Sequence, residues 1–173
     1  NRSLKIVIHG GGQSRRLPAY AATGKLFIPV PVYRWDMGQG LYQNLLDMQL
    51  PLLRTVAKRA HATSRVMVVS GDALLRADEA LSNLPEADIV FMGLWTTPEH
   101  AQHFGVFFCD KRDPGRLMTF LQKPSPEKIR DLSADYLYMI DVGLWLLSAR
   151  AVDVLTRKSK SAGGFYDLYG EWG

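Results

Sequence analysis

The chain has 173 residues, which is enough for one ordinary domain with a single hydrophobic core. Its 47% hydrophobic and 22% charged residues are typical of a globular protein and exclude a disordered, collagen-like or coiled-coil chain. A single cysteine excludes an internal disulfide, and a net charge of +4 suits an anionic small molecule better than a nucleic acid.

The N-terminal part of the chain predicts two buried strands with a long loop and a helix between them. A β-branched run at Leu4–Ile8 ends in three glycines, which indicates a strand followed by a tight loop. Residues 10–40 show no helical period, and a loop of this length inside a domain is usually functional. A helix should follow, kinked or restarted at Pro51, and then a strand over Val66–Val69. The apolar positions that predict one face of this helix are Leu41, Leu45, Met48, Leu52 and Val56.

The remainder of the chain alternates short strands and helices. The predicted elements are a helix over Ala73–Leu84, strands over Asp88–Trp95, Gly105–Cys109 and Leu117–Gln122, a helix over Glu127–Leu132, a strand around Asp141 within Tyr136–Leu147, and a helix over Ala149–Lys158 capped by Ser148. Strands that are apolar on both faces and alternate with helices predict an α/β fold. We expect a Rossmann-like, open, mixed and mostly parallel sheet with helices on both faces. The chain starts without a methionine and stops just after an aromatic, acidic stretch, so we expect residues 1–173 to be one incomplete domain of a longer protein.

A glycine-rich loop with two arginines directly follows the first strand. Backbone amides of glycines form nests for anions, and guanidinium groups supply forked donors to phosphate oxygens. The loop matches neither the Walker pattern nor the dinucleotide fingerprint. It therefore predicts a phosphate site, and the alternative is a surface turn with solvated arginines. Its residues are Gly10, Gly11, Gly12, Gln13, Ser14, Arg15 and Arg16.

Four further positions each have a functional and a plain structural interpretation. Lys25 follows a glycine in the long loop and would neutralise a triphosphate, or be solvated. Asp72 follows the second strand and would bind a hard cation, or cap the next helix. Lys123 follows another strand and would hold a second anion, or be an ordinary loop lysine. Asp141 interrupts an apolar run, so its charge should be paired or face a cleft at a strand end. Cys109 lies in an apolar run and should be a buried small hydrophobe.

In chain order these motifs resemble the sugar-1-phosphate nucleotidyltransferases (pyrophosphorylases). That family's signature runs Gly-Gly-x-Gly-Thr-Arg-Leu, Pro-Lys, Gly-Asp, Tyr-Gly-Val, Glu-Lys-Pro and Asn-x-Gly. The matching segments here are Gly11–Leu17, Gly24-Lys25, Gly71-Asp72, Phe104–Val106, Gln122–Pro124 and Asp141–Gly143. The sequence departs from the signature at Ser14, Arg15, Gln122 and Asp141. The resemblance implies the fold of the nucleotide-diphospho-sugar transferases.

A closer resemblance is to the N-terminal fucose-1-phosphate guanylyltransferase part of bifunctional L-fucokinase/GDP-L-fucose pyrophosphorylases. It implies Mg²⁺-dependent transfer from GTP to L-fucose 1-phosphate, giving GDP-L-fucose and pyrophosphate. It also implies a covalently linked sugar kinase domain that is missing from this chain. The segments that carry this resemblance are His9–Pro31, Val32–Trp35, Gln43–Leu46, Gly93–Trp95 and Tyr166–Tyr169.

The resemblance also implies roles for individual residues. Arg16, Lys25 and Asp72 would be catalytic, and Asp72 would hold Mg²⁺. The family's second metal ligand is either missing from this chain or is Asp167 or Glu171. The nucleotide would be bound by Gly10, Gly11, Gly12, Gln13, Ser14 and Arg15. The family's base-contacting segment between Lys25 and the Gly-Asp strand is abbreviated in this chain, so we expect the Trp35–Gln43 stretch to contact the base instead, through Gln39 and Gln43. The sugar phosphate would be bound by Gly105, Lys123, Asp141 and Gly143.

Three other functions stay open. The chain would be a pyrophosphorylase for another sugar or base, or a nucleotide-binding module that has lost transfer. A nucleic-acid binder is the third, but the sequence has no basic stripe with interleaved aromatics. No apolar run reaches the roughly 18 residues that cross a bilayer. No signal peptide is visible, so we expect a cytoplasmic protein without a membrane partner.

Overall fold

The computed structural model describes residues 3–10, 25–30, 43–76 and 84–161. The strands are β1 (Lys5–His9), β2 (Ser64–Ser70), β3 (Ile89–Leu94), β4 (Gly105–Asp110), β5 (Leu117–Gln122) and β6 (Tyr136–Ser148). The helices are α1 (Leu45–Arg59), α2 (Pro98–Ala101), α3 (Pro126–Ser133) and α4 (Ala149–Ser161), and a 3₁₀ helix spans Lys25–Phe27. The chain forms two compact units, which consist of residues 1–90 with 143–152 and residues 91–142 with 153–173.

The strands form an open sheet, as the sequence predicts. They hydrogen-bond in the order β1-β2-β6-β4-β5, and β3 pairs with β6. Among the described residues β1 and β2 are parallel, whereas β2 with β6, β6 with β4, and β4 with β5 are antiparallel. The expectation of a mostly parallel sheet is therefore wrong. The short connection at 111–116 explains one antiparallel pair, because parallel neighbours need a crossover of about a dozen residues or more.

In the first unit, α1 begins with a capping box. Asn44 accepts a hydrogen bond from the backbone of Asp47, and the Asp47 carboxylate accepts one from the backbone of Asn44. The helix continues through Pro51, so the predicted restart does not occur. Its buried positions are Gln49, Leu53 and Val56. The burial of Val56 is as predicted, whereas Gln49 and Leu53 each lie one position after the predicted Met48 and Leu52. Met48 and Leu52 instead line a groove of about 220 Å³ with Pro51, Thr55, Leu75 and Arg76.

The core of the first unit lies where β2 pairs with the C-terminal half of β6. Met67 is opposite Leu146, and both side chains are buried. No helix begins within residues 73–76, and 77–83 lie outside the described residues, so the predicted helix over 73–84 is wrong in its first turn. At the other end of β6, Ser148 Oγ accepts from the backbone of Ala151, which confirms its predicted role as the N-cap of α4.

In the second unit, two apolar clusters surround β4. Phe108 and Val106 pack with Ile129 of α3 and Ile140 of β6, and α2 contributes Ala101. The other cluster comprises Phe107, Cys109 and Phe120. The predicted bounds of β4, β5 and α3 are confirmed to within two residues, and the strand predicted around Asp141 is β6. The one-turn helix α2 is not foreseen from the sequence. No helix among the described residues is long and apolar enough to span a membrane.

Cys109 is 5% exposed, which confirms the prediction of a buried small hydrophobe. Burial raises the pKa of its thiol, and each unit of increase lowers the thiolate fraction about tenfold. We expect iodoacetamide at pH 8 to modify the folded protein at least about tenfold more slowly than the protein in denaturant. Mass spectrometry reads this out directly, because the chain has one cysteine. Equal rates in the two states would contradict the burial.

Candidate functional site

The carboxyl ends of β1 and β2 lie side by side. The two strands run parallel in register, with His9 opposite Ser70. The backbone N–H of Gly71 donates to the carbonyl oxygen of His9 at 2.8 Å. A Cβ at Gly71 would lie 2.6 Å from that oxygen, so this close approach requires glycine. The glycine-rich loop, whose first residue is Gly10, therefore begins next to the turn that carries Asp72.

Asp72 is held by two side chains at this edge. Ser70 Oγ donates to Asp72 Oδ1 at 2.6 Å, and Lys25 Nζ donates to Oδ2 at 2.9 Å. The hydrogen bond from Ser70, followed by that from Lys25, holds the pKa of Asp72 below the usual value of an aspartate. The Lys25 and Asp72 side chains are 39% and 36% exposed, so solvent and ligands can reach both. The site thus presents an ionised carboxylate beside an ammonium group.

Lys25 reaches Asp72 because its neighbours anchor the 3₁₀ helix. Leu26 is buried and packs beside Gly71, since its Cδ1 lies 3.4 Å from the position that a Cβ on Gly71 would occupy. Further along, the backbone N–H of Val30 donates to the carbonyl oxygen of Gln43 at 2.8 Å, and Pro29 forms a bridge with Asn44. These contacts tie the segment that follows Lys25 to the start of α1.

The plain alternatives for these two residues are not supported. Asp72 caps no helix, since residues 73–76 contain none. Lys25 is paired with a carboxylate 47 positions away rather than solvated alone. Sequence motifs that were weak separately are therefore brought together at one sheet edge.

Gly143 is also part of this unit, but its geometry indicates a packing role. Its φ is +73°, in the left-handed region, and a Cβ there would lie 2.7 Å from Ser70 Cβ. Gly143 therefore leaves room for the serine that holds Asp72. Its predicted contact with the sugar phosphate stays a prediction.

Gln43, predicted to contact the base, precedes α1. Its Oε1 is buried and has no hydrogen-bond partner among the described residues. A buried amide oxygen without a partner is costly, which suits a position that accepts a hydrogen bond from a ligand.

In the second unit, three predicted sugar-phosphate residues lie near the start of β4: Gly105 begins that strand, Lys123 follows β5, and Asp141 lies within β6. Gly105 pairs with Gln122, and the N–H of Lys123 donates to the carbonyl oxygen of Phe104 at 2.9 Å. Val106 pairs with Ile140, which places Gly105 and Asp141 one step further along their antiparallel strands. A Cβ at Gly105 would lie 2.6 Å from Phe120, so the position has no room for a side chain.

Lys123 and Asp141 have unusual environments. Lys123 has a φ of +51°, which is uncommon for a residue with a side chain and costs on the order of 1–3 kcal/mol. Such strain is concentrated at functional sites. Asp141 is 8% exposed, and it lies in the middle of β6 rather than at a strand end as predicted. β6 extends past Asp141 because its two halves pair with different neighbours, β4 before it and β2 after it.

The remaining predicted residues lie outside the described part of the chain. They are Gly11, Gly12, Gln13, Ser14, Arg15, Arg16, Gln39, Asp167 and Glu171. Two residues that sequence reasoning missed hold the described site together, namely Ser70 and Gln49. The sequence offers one signal for Gln49, namely that it is a polar residue between the apolar residues Met48 and Leu50 of α1.

The donor set fits a hard divalent cation. Mg²⁺ is usually held by one or two carboxylates together with substrate phosphates, and it does not need an all-protein cage. Asp72 is an ionised, reachable carboxylate of that kind. Among the residues that the structure describes, no group of three or more His, Cys, Asp or Glu side chains is placed to hold a metal.

The chain is similar to known proteins over nearly its whole length. Residues 2–163 match the model of the fucose pyrophosphorylase domain. The chain is 45% identical over 176 aligned residues to the L-fucokinase/L-fucose-1-P guanylyltransferase of Bacteroides fragilis, covering 99% of this chain and 18% of that protein. It is 26% identical over 155 residues to the bifunctional fucokinase/GDP-fucose pyrophosphorylase of Arabidopsis thaliana, covering 84% of this chain and 14% of the relative. The chain thus spans less than a fifth of the length of these relatives.

Proposed function

The chain belongs to the fucose pyrophosphorylase family, and from that membership we propose that it transfers a guanylyl group from GTP to L-fucose 1-phosphate. An oxygen of the sugar phosphate bonds to the α-phosphorus of GTP while the bond from that phosphorus to the β-phosphate oxygen breaks. The products are GDP-L-fucose and pyrophosphate. The observation that carries the proposal is the pair of Lys25 and Asp72 at the shared carboxyl end of β1 and β2.

Charge neutralisation is the main task of the proposed nucleotide site. A sugar phosphate is already an anionic nucleophile at neutral pH, so the reaction needs no general base. Rate enhancement then comes from alignment and from stabilising charge on the departing pyrophosphate. Lys25, together with Arg16, would neutralise that charge, and the amides that begin at Gly10 would cradle the triphosphate.

Mg²⁺ is the proposed cofactor, and Asp72 is the described residue that would hold it. Asp167 or Glu171 would supply a further ligand. The ion would supply charge stabilisation for the reacting phosphates. Ser70 keeps the Asp72 carboxylate ionised and directed, which is what a hard-cation ligand requires.

Guanine is the proposed base because of Gln43. The base offers N–H donors on its Watson–Crick edge, and the buried Oε1 of Gln43 is an acceptor without a partner among the described residues. Adenine presents a different pattern of donors and acceptors at the corresponding positions. Gln39 would act with Gln43 in this recognition.

The proposed sugar-phosphate group consists of Gly105, Lys123 and Asp141. Lys123 supplies a cation on a fixed backbone, and Asp141 accepts sugar hydroxyls. The curated relatives combine this activity with a fucokinase by name, so we also propose a sugar kinase domain linked to this chain. Both proposed substrates are highly charged and do not cross membranes unaided, which suits a cytoplasmic location.

A pyrophosphate-release assay tests the proposal in the natural full-length protein. GTP, ITP and ATP are each combined with L-fucose 1-phosphate, mannose 1-phosphate or glucose 1-phosphate, with and without EDTA. We expect GTP with L-fucose 1-phosphate to give at least about a tenfold higher kcat/KM than any other pair. EDTA should abolish the release.

Each other outcome selects a different function. A higher rate with another pair would identify a pyrophosphorylase for that sugar or base. Calorimetric binding of GTP without pyrophosphate release under any condition would indicate a silent nucleotide-binding module.

A Gln43→Met variant should reduce the ratio of kcat/KM for GTP to that for ATP, because the variant lacks the amide oxygen that would accept from guanine. An unchanged ratio would remove Gln43 from base recognition.

A further inference from the structure

The side-chain amide of Gln49 is bonded to the turn that carries Asp72, although Gln49 belongs to helix α1. Its Nε2 donates to the carbonyl oxygen of Ser70 at 3.3 Å and to that of Ala73. These two carbonyls lie on either side of Asp72 in the chain. A primary amide nitrogen carries two N–H donors, and this one has two carbonyl acceptors. Gln49 therefore joins the two ends of the turn.

Packing alone does not explain a glutamine at this position. Gln49 is 4% exposed and shares its helix face with Leu53 and Val56, which are also buried. A buried amide costs free energy unless it is hydrogen-bonded, whereas an apolar side chain would fill the same space without that cost. Its Oε1 has no partner among the described residues, so the two donors to the turn are what offset the burial.

The turn has little regular structure of its own. The bond from the Gly71 N–H to His9 holds its beginning, and no helix begins within residues 73–76 to hold its end. The Asp72 side chain is bonded to Ser70 and Lys25, and Lys25 is a group that the proposed nucleotide would engage. The bonds from Gln49 go to the backbone, so they persist when Lys25 changes partner.

We propose that Gln49 is a positioning residue for metal-dependent nucleotide binding. By holding the carbonyls of Ser70 and Ala73 together, it fixes the direction in which Asp72 presents its carboxylate. This inference rests on the proposed function, because it assigns Gln49 to the same site. Gln49 acts through the turn, and Asp72 is the residue that would meet the ligand.

The test compares Gln49→Met with Val56→Ala in the full-length protein. Methionine keeps the length of the side chain, removes both donors, and suits a buried apolar face, so the variant is expected to fold. Val56→Ala weakens the same helix face two turns away without touching the turn. Calorimetry measures GTP binding with Mn²⁺ and again with EDTA, at a temperature where every variant is folded.

We expect Gln49→Met to weaken GTP binding about tenfold with Mn²⁺ and to leave the affinity in EDTA unchanged. Val56→Ala should change neither affinity. Wild-type affinity of Gln49→Met with Mn²⁺ would overturn the inference, and so would an equal loss in Val56→Ala, because that result would indicate a merely structural role.

Nuclear magnetic resonance separates failure of this inference from failure of the proposed function. If the wild-type protein binds no GTP with Mn²⁺, the proposed function fails. The amide resonance of Gly71 and the carboxylate resonance of Asp72 then decide the positioning role. Both should shift in Gln49→Met and stay in place in Val56→Ala. Unshifted resonances in Gln49→Met would overturn the inference.

Discussion

Replacing Asp72 by asparagine is expected to lower the rate of pyrophosphate release by about 100-fold or more. Asparagine keeps the shape of the side chain but removes the negative charge that a cation needs. It also leaves the Lys25 ammonium without its partner. Because the ion pair is partly exposed, the free energy of unfolding should fall by no more than about 1 kcal/mol. The loss is therefore one of activity, measured as kcat and as the Mg²⁺ concentration for half-maximal rate.

Two further variants make this result specific. Glu86→Gln is the control, because it removes one exposed carboxylate charge from the same unit and should retain wild-type activity. The Glu86 Oε2 atom lies 3.8 Å from His61 Nε2. Lys25→Met should also lower kcat, and the double variant should lose less than the product of the two single losses, because the residues act together. Activity of Asp72→Asn within threefold of wild type would remove Asp72 from the proposed mechanism.

Replacing Phe108 by alanine is expected to lower the free energy of unfolding by about 3–5 kcal/mol. The Phe108 ring is fully buried in the cluster formed by Val106, Ile129 and Ile140. Truncation removes apolar burial and leaves a cavity that the strands around it cannot fill without moving. Denaturant unfolding followed by near-ultraviolet circular dichroism measures the change.

Phe27→Ala is the matched control, because the Phe27 side chain is 54% exposed. It should cost less than about 1 kcal/mol, since surface substitutions away from special features change stability little. A loss of that small size in Phe108→Ala would mean that Phe108 does not contribute to the core as the structure places it.

Local patterns predict much of this fold. Short apolar runs bounded by turn residues predict β1, β2, β4 and β5 closely, because this pattern is visible in the local sequence. The direction of pairing depends on which strands meet, which a single sequence does not contain. The expectation that strands linked by helices pair in parallel therefore fails at β6, because β2 and β4 both pair with it in the antiparallel direction.

The candidate site shows the same division. Asp72 is predictable as a candidate functional residue because it follows a strand closely, and the structure brings Lys25 to it. Gln49 is not predictable in this way, since a helical pattern counts apolar residues and treats a glutamine as exposed. Its burial depends on two carbonyls more than 20 positions away in the chain. Asp141 presents a similar difficulty, because the local sequence does not show that β6 pairs with β4 before this residue and with β2 after it.

The contact between Lys25 and Asp72 also has a consequence for the form in which a nucleotide arrives. Each group neutralises the other while the pair is intact. A triphosphate without a cation that binds Lys25 would place its own negative oxygens beside the unpaired Asp72 carboxylate. A free cation that approaches Asp72 would be repelled by the Lys25 ammonium group. A cation already chelated by a triphosphate carries both complementary charges and exchanges with both groups in one step. At the proposed nucleotide site, the resting ion pair would therefore favour binding of the preassembled chelate over binding of either component alone.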